Sequence, residues 1–176
     1  MDETVALRAF DEGDLGFLDR LCTDPDAAGP FLWTGFTDPR SRRRRWEVDG
    51  YIGADSAALA VVVGGTVAGI ASWWAKDRGG PPGVCREIGL ALLPDYRGQG
   101  HGVTAHRMLV DHLFQYTTVH RIEALTDVGN VAECKALERI GFALEGVLRE
   151  VAFHRGAWRN AALYARLRDD DAGGRD

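Results

Sequence analysis

The stretch from Ile88 to Val103, IGLALLPDYRGQGHGV, carries the most legible chemistry in the chain. A β-rich run stops at Pro94, and a turn with glycine at 98, 100 and 102 leads into a helical pattern. Such a turn leaves backbone N–H groups unpaired at the positive end of a helix dipole, an anion site suited to phosphate. The glycines let the backbone approach a ligand without a Cβ in the way, and Arg97 can add a charge-assisted hydrogen bond. The plainer alternative is a turn that only reverses the chain. Two phosphate loops are excluded. GxxxxGK(S/T) is absent, and GxGxxG fails because Val103 stands where its third glycine belongs.

Other reactive residues form no complete constellation. His101, His106, His112, His120 and His154 have no metal-binding spacing, so no metal is expected. Ser41, Ser56 and Ser72 lack the GxSxG setting of an esterase. Cys22, Cys85 and Cys134 are odd in number and show no CxxC, which argues against a disulfide framework.

The elements that must position the glycine turn follow from periodicity. Val5, Leu7 and Ala9 alternate as a first strand, and Asp14 is placed to cap a helix reaching Cys22. Asp24 to Pro39 reads as an ordered aromatic loop, and Thr37-Asp38-Pro39 starts the next helix. Ala57–Val63 and Val67–Ala75 flank Gly64-Gly65 as a hairpin, and Val84–Leu93 is a further strand. From Gly100 the pattern is helical, with Val103, Leu109, Val110, Leu113 and Phe114 on one face. A strand over Arg121–Thr126 precedes a helix opened by Asn130, with Val131, Cys134, Leu137 and Ile140 inward and Gly141 closing it. Two terminal strands flank Arg155-Gly156. The order β-α-α-β-β-β-α-β-α-β-β predicts an α+β domain over residues 1–168, with 169–176 a frayed polar tail.

Length and composition set the bounds. At 176 residues, 45% hydrophobic and 27% charged, the chain can build a core without staples. A net charge of −5 argues against a general nucleic-acid coat, yet Arg40 and Arg42 to Arg45 form a basic cluster. Asp2 and Glu3 after Met1 argue against a signal peptide, and no apolar run approaches a membrane span. The expected location is cytoplasmic, as a monomer or homodimer with no membrane partner.

Arg97-Gly98-Gln99-Gly100-His101-Gly102 resembles the (Q/R)xxGx(G/A) motif of the GCN5-related N-acetyltransferases (GNAT). The resemblance extends to Thr126-Asp127, Asn130, Leu137 to Phe142, Glu145-Gly146 and Leu163 to Leu167, segments similar to the ribosomal-protein N-terminal acetyltransferase (RimJ/RimL-type) branch. It implies a central mixed, mostly antiparallel sheet of about seven strands flanked by about four helices. It also implies acetyl-CoA, or another short acyl-CoA, as cosubstrate, moving an acetyl group to a primary amine of a small molecule or a protein N-terminus. The pyrophosphate is expected on Arg97, Gly98, Gln99, Gly100, His101, Gly102 and Val103. The pantetheine is expected along Leu90, Ala91 and Leu92, with Asn130 touching the cofactor or capping its helix.

The catalytic groups of that branch are incomplete here. Its serine three residues after the asparagine is Glu133, its later strand glutamate is Ala152, and another branch's tyrosine is Leu137. Glu133 is therefore a candidate acid for the leaving thiolate, weighed against a first-turn glutamate that faces water. Glu87 is a candidate for accepting the amine proton, with Glu123 third; Tyr164 reads as a packed aromatic. Trp33, Phe36 and Trp46 could line an acceptor pocket or pack in the core. Two alternatives stay open. One is a catalytically degenerate acyl-CoA sensor; the other is an aminoacyl-tRNA-dependent transferase that uses Arg42 to Arg45 on nucleic acid.

Overall fold

The computed structural model describes residues 4–170. Seven strands form one sheet in the order β1-β2-β3-β4-β5-β7-β6. They are β1 (Val5–Arg8), β2 (Ser56–Val63), β3 (Thr66–Ala75), β4 (Cys85–Leu92), β5 (Arg121–Asp127), β6 (Ala143–His154) and β7 (Ala157–Leu167). Neighbours are antiparallel except β4 and β5, which run parallel. The helices among the described residues are α1 (Leu15–Thr23), α2 (Pro25–Ala28), α3 (Pro39–Asp49), α4 (His101–Tyr116) and α5 (Val131–Arg139). This is the expected α+β architecture with one helix more. The extra one, α2, is a single turn inside the expected aromatic loop, capped by the Asp24 carboxylate and opened by Pro25.

Local chemistry sets most boundaries. The Asp38 carboxylate accepts from Arg40 N with Pro39 at the first helical position, and left-handed Gly50 ends α3. Asp14 does not cap α1 as expected. Asp11 caps a preceding 3-10 turn, while Asp14 accepts from the Asp11 amide and pairs with Arg8. Val131 also departs from expectation: it is 55% exposed at the first position of α5, ahead of the residues that reach the core. Asp170, expected to fray, accepts from Leu167 N in a turn after β7. The rest of the expected tail, residues 171–176, and the Asp2-Glu3 start lie outside the described residues.

The sheet carries a core on each face, because adjacent strand residues point to opposite sides. On one face Ala58, Ala60 and Ile70 pack with Phe10, Leu15, Leu18 and Tyr51 beneath α1 and α3. On the other, Val61, Ala71, Ile88, Leu92 and Ile122 pack against Leu109, Val110 and Leu113 of α4 and Leu137 of α5. Each fully buried leucine contributes about 2 kcal/mol, so these two layers hold the sheet rigid between the helices. No helix of the described residues is long and apolar enough to cross a membrane.

Candidate active site

The parallel pair β4–β5 is incomplete. Its register runs from Cys85↔Arg121 to Ile88↔Ala124 and stops, although β4 continues to Leu92 and β5 to Asp127. Past Ile88 the strands separate, leaving backbone groups of Gly89 to Leu92 and Leu125 to Asp127 without each other as partners. Unpaired strand edges inside a fold are a place for a ligand to hydrogen-bond. Because β4 and β5 are parallel, the helices that follow them both begin at this open end. The N-termini of α4 and α5 therefore lie on the same side of the gap, and both favour negative charge.

The turn into α4 is built as an anion cradle. Gly98 and Gly100 have φ of +75° and +88°, and a Cβ at either would meet nothing within 4 Å. Gly100 is the N-cap and supplies no side-chain bond, so the first amides of α4 keep their donors. Gly102 lies over Leu90 and Leu92, whose side chains pack with α4 while their backbone continues along the open edge. Partly buried Val103 packs there too. The Gln99 amide group donates to Asp95 O, and His101 is buried beside the Tyr96 ring. Arg97 is tied into the protein. Its guanidinium donates to the carbonyls of Leu92, Asp26 and Ala27 and ties α2 to the end of β4. The side chain expected to reach phosphate thus also anchors the turn through three backbone carbonyls.

On the other side of the gap, the Asn130 side-chain oxygen accepts from Glu133 N, so this residue is the N-cap of α5. Its amide nitrogen has no partner among the described residues. Glu133 does not simply face water. Its Oε1 lies 2.7 Å from His106 Nε2, and His106 is completely buried. With its proton on Nε2, His106 donates to the carboxylate and links α4 to α5. Sequence reasoning missed His106, although it falls on the stripe of Val103, Leu109 and Val110. At the end of β5, Asp127 Oδ2 lies 3.0 Å from His154 Nε2.

Glu87 lies on the opposite sheet face, one residue before the last β4–β5 pair, at the closed end of the gap. It is buried, and its Oε2 meets Lys76 Nζ at 2.5 Å. Glu123 beside it has no exposed side chain and is gripped by Arg78 and Arg121. Burial pushes its carboxyl upward, but the two guanidinium groups outweigh that and hold it below the usual range. Glu123 is therefore a fixed anion in a structural network that continues to Glu145. Tyr164 donates to Glu138 Oε1, and burial followed by that carboxylate raises its phenol, so it stays a donor.

The same face holds a cleft of about 310 Å³ beside β4. Tyr51 and Trp74 supply its aromatic surface, not Trp33, Phe36 and Trp46; the Trp73 ring packs on the other face of the sheet. Trp33 and Phe36 instead pack edge to face, and Trp46 packs over the α1–α3 core with Nε1 donating to Phe10 O. Arg42, Arg45, Ser56 and Ser72 complete its polar lining. Ser72 Oγ donates to Gly89 O at 3.3 Å, so the cleft ends against the strand that borders the gap. No three-residue His, Cys, Asp or Glu cluster able to hold a metal exists among the described residues.

A mixed seven-stranded sheet split between two parallel strands, with a glycine-rich turn at a helix start, sets the class of fold. The chain matches the acetyltransferase (GNAT) domain family over residues 4–143 and belongs to that family. Among curated relatives, "Probable N-acetyltransferase YjcK" of Bacillus subtilis is 34% identical over 84 residues, 48% of this chain and 46% of that protein. That match thus spans about half of either protein. Two solved structures share the fold. One, described as the RimL ribosomal L7/L12 alpha-N-protein acetyltransferase in complex with coenzyme A, is 23% identical with a TM-score of 0.82 over 96% of both chains. The other, spermidine N-acetyltransferase from Vibrio cholerae in complex with CoA and spermine, is 18% identical with a TM-score of 0.83, covering 96% of this chain and 98% of that one.

Proposed function

We propose that this chain is a cytoplasmic N-acetyltransferase that moves an acetyl group from acetyl-CoA, or another short acyl-CoA, to a primary amine. The observation that carries this reading is the opening of β4 from β5 beneath two helix N-termini. Acetyl-CoA, when bound, supplies an activated thioester carbonyl. The amides from Gly98 to Val103 hold the pyrophosphate, and the backbone of Leu90, Ala91 and Leu92 pairs with the pantetheine. Asn130 adds its free amide donor. An amide on the open edge of β4 stabilises the charge that develops on the carbonyl oxygen, often the largest single catalytic contribution.

The remaining steps are proton movements. Glu87, buried at the closed end of the gap on the cleft's side of the sheet, accepts the proton of the attacking amine, with Lys76 fixing its orientation. Glu133, with Oε1 accepting from His106 and a proton on Oε2, gives that proton to the departing thiolate and regains one from water. Relatives with this fold are described as acting on a ribosomal-protein N-terminus or on spermidine, so a protein N-terminus and a small amine are the two acceptor classes to separate. Mass spectrometry of incubations with acetyl-CoA and a panel of amines and peptides tests the reading. Acetylated product is expected; tight CoA binding without any product would favour an acyl-CoA sensor, and absence of CoA binding would end both readings.

A further inference from the structure

The arginine cluster in α3 is divided by the helix itself. Arg44 and Arg40 turn to Asp38, at 3.3 and 3.9 Å, and Arg43 is exposed. Arg42 and Arg45, three residues apart and hence on one helix face, line the cleft. Arg42 has no carboxylate partner among the described residues. Arg45 has only Asp49 at 3.9 Å, donates to Ser56 Oγ at 2.8 Å and lies over the Tyr51 ring. No aspartate or glutamate lines the cleft.

The wall is also held in a conformation the chain does not adopt freely. Tyr51 is a non-glycine residue with φ of +63°, a strained position that persists only when surroundings fix it. Its N–H donates to Asp49, its hydroxyl to Arg42 O, and its carbonyl accepts from Ala58 N. Two guanidinium groups, the Ser56 and Ser72 hydroxyls and a tyrosine thus converge on a small aromatic-walled space. That is a carboxylate-binding environment.

We propose that this cleft seats the carboxylate of a small amine acceptor, so that the substrate class is carboxylate-bearing amines of amino-acid or dipeptide size rather than polyamines. The proposal rests on the acetyltransferase reading for its chemistry and adds to it the acceptor's charge. Ser72 gives the orientation. It lies between the arginines and Gly89, with Glu87 two residues along β4 on the same face, so the carboxylate sits under α3 and the amine points to Glu87. A polycation with one amine at Glu87 would bring its next ammonium against Arg42 and Arg45, with no acid in the cleft lining to receive it.

Steady-state kinetics of the full chain with α- and ω-amino acids, their carboxamides and spermidine tests this. The free carboxylates are expected to be preferred roughly 10-fold or more in kcat/KM. Arg42→Gln should raise KM for the carboxylates by about 10-fold with kcat little changed, and Arg42→Lys should restore most of it. Arg43→Gln, outside the cleft, should change neither. Equal use of carboxylate and carboxamide, or indifference to Arg42→Gln, would overturn the proposal while leaving acetyl transfer intact. Titration of the same amino acids against the fluorescence of Trp74, isolated by comparison with Trp74→Phe, reads the cleft without turnover. Saturable quenching lost in Arg42→Gln supports the proposal even if no CoA binds, and no saturable change sinks it.

Discussion

Glu133 on α5 and His106 on α4 meet at 2.7 Å across the two helices that begin at the open end of the sheet. His106 has no exposed surface, whereas the Glu133 side chain keeps 20% of its own. The pair runs from the core to the rim of the gap, and only its carboxylate end can reach a ligand.

Glu133→Gln keeps an acceptor for His106 but removes the titratable proton. The expected result is a fall in kcat of roughly 100-fold, within the usual range for general acid catalysis, with CoA affinity and melting temperature preserved. A kcat within twofold of wild type would remove Glu133 from the reaction.

Glu87→Gln should also lower kcat, by roughly 10- to 100-fold, with CoA affinity unchanged. Lys76 is 34% exposed and keeps water as a partner, so the fold should survive. A kcat within twofold of wild type would assign the base elsewhere.

Gly100→Trp tests the anion cradle. Space around Gly100 is open, but the left-handed backbone there costs a side chain about 1–2 kcal/mol. The variant should fold with a modestly lowered melting temperature and lose measurable CoA binding in calorimetry. Unchanged affinity would refute the phosphate assignment.

Acid stability should follow the buried Glu123. Its carboxyl is depressed below 4.5 in the fold, because Arg78 and Arg121 outweigh its burial. A carboxyl depressed on folding adds stability above its unfolded value, and that stability is lost as pH falls through the folded value. Glu145 and Asp14, held low by Arg121 and Arg8, act in the same direction. Melting temperature should therefore be flat near neutrality and drop once the pH falls below 4.5. Glu123→Gln should lie lower at pH 7, with Arg78 and Arg121 left short of a partner, and show a shallower acid limb.

The strands, the helices other than α2 and the glycine turn were legible because they are local: periodicity, caps and left-handed glycines act within a few residues. The cleft was not. Its tyrosine, tryptophan and serines are scattered from 51 to 74, and the β3–β4 register, Ser72↔Gly89 and Trp74↔Glu87 among its pairs, joins them to β4. Arg97 carried the right motif position, yet its acceptors Asp26 and Ala27 lie about seventy residues away in a helix too short to announce itself. Glu133 had a local reading as a first-turn acid; its partner came from another helix. The sharing of charge among Arg78, Arg121 and Glu123 depends in the same way on strand pairing.

The four register pairs from Cys85↔Arg121 to Ile88↔Ala124 are the whole backbone ladder between β1–β4 and β5–β7. The core under α4 joins the two halves, but their backbones meet only over this short ladder, and amide exchange should be fastest at its open end. A ligand that pairs with both open edges then acts as an inserted eighth strand. Its binding energy joins the two halves across the gap, so loading the enzyme is also the last step of completing its sheet.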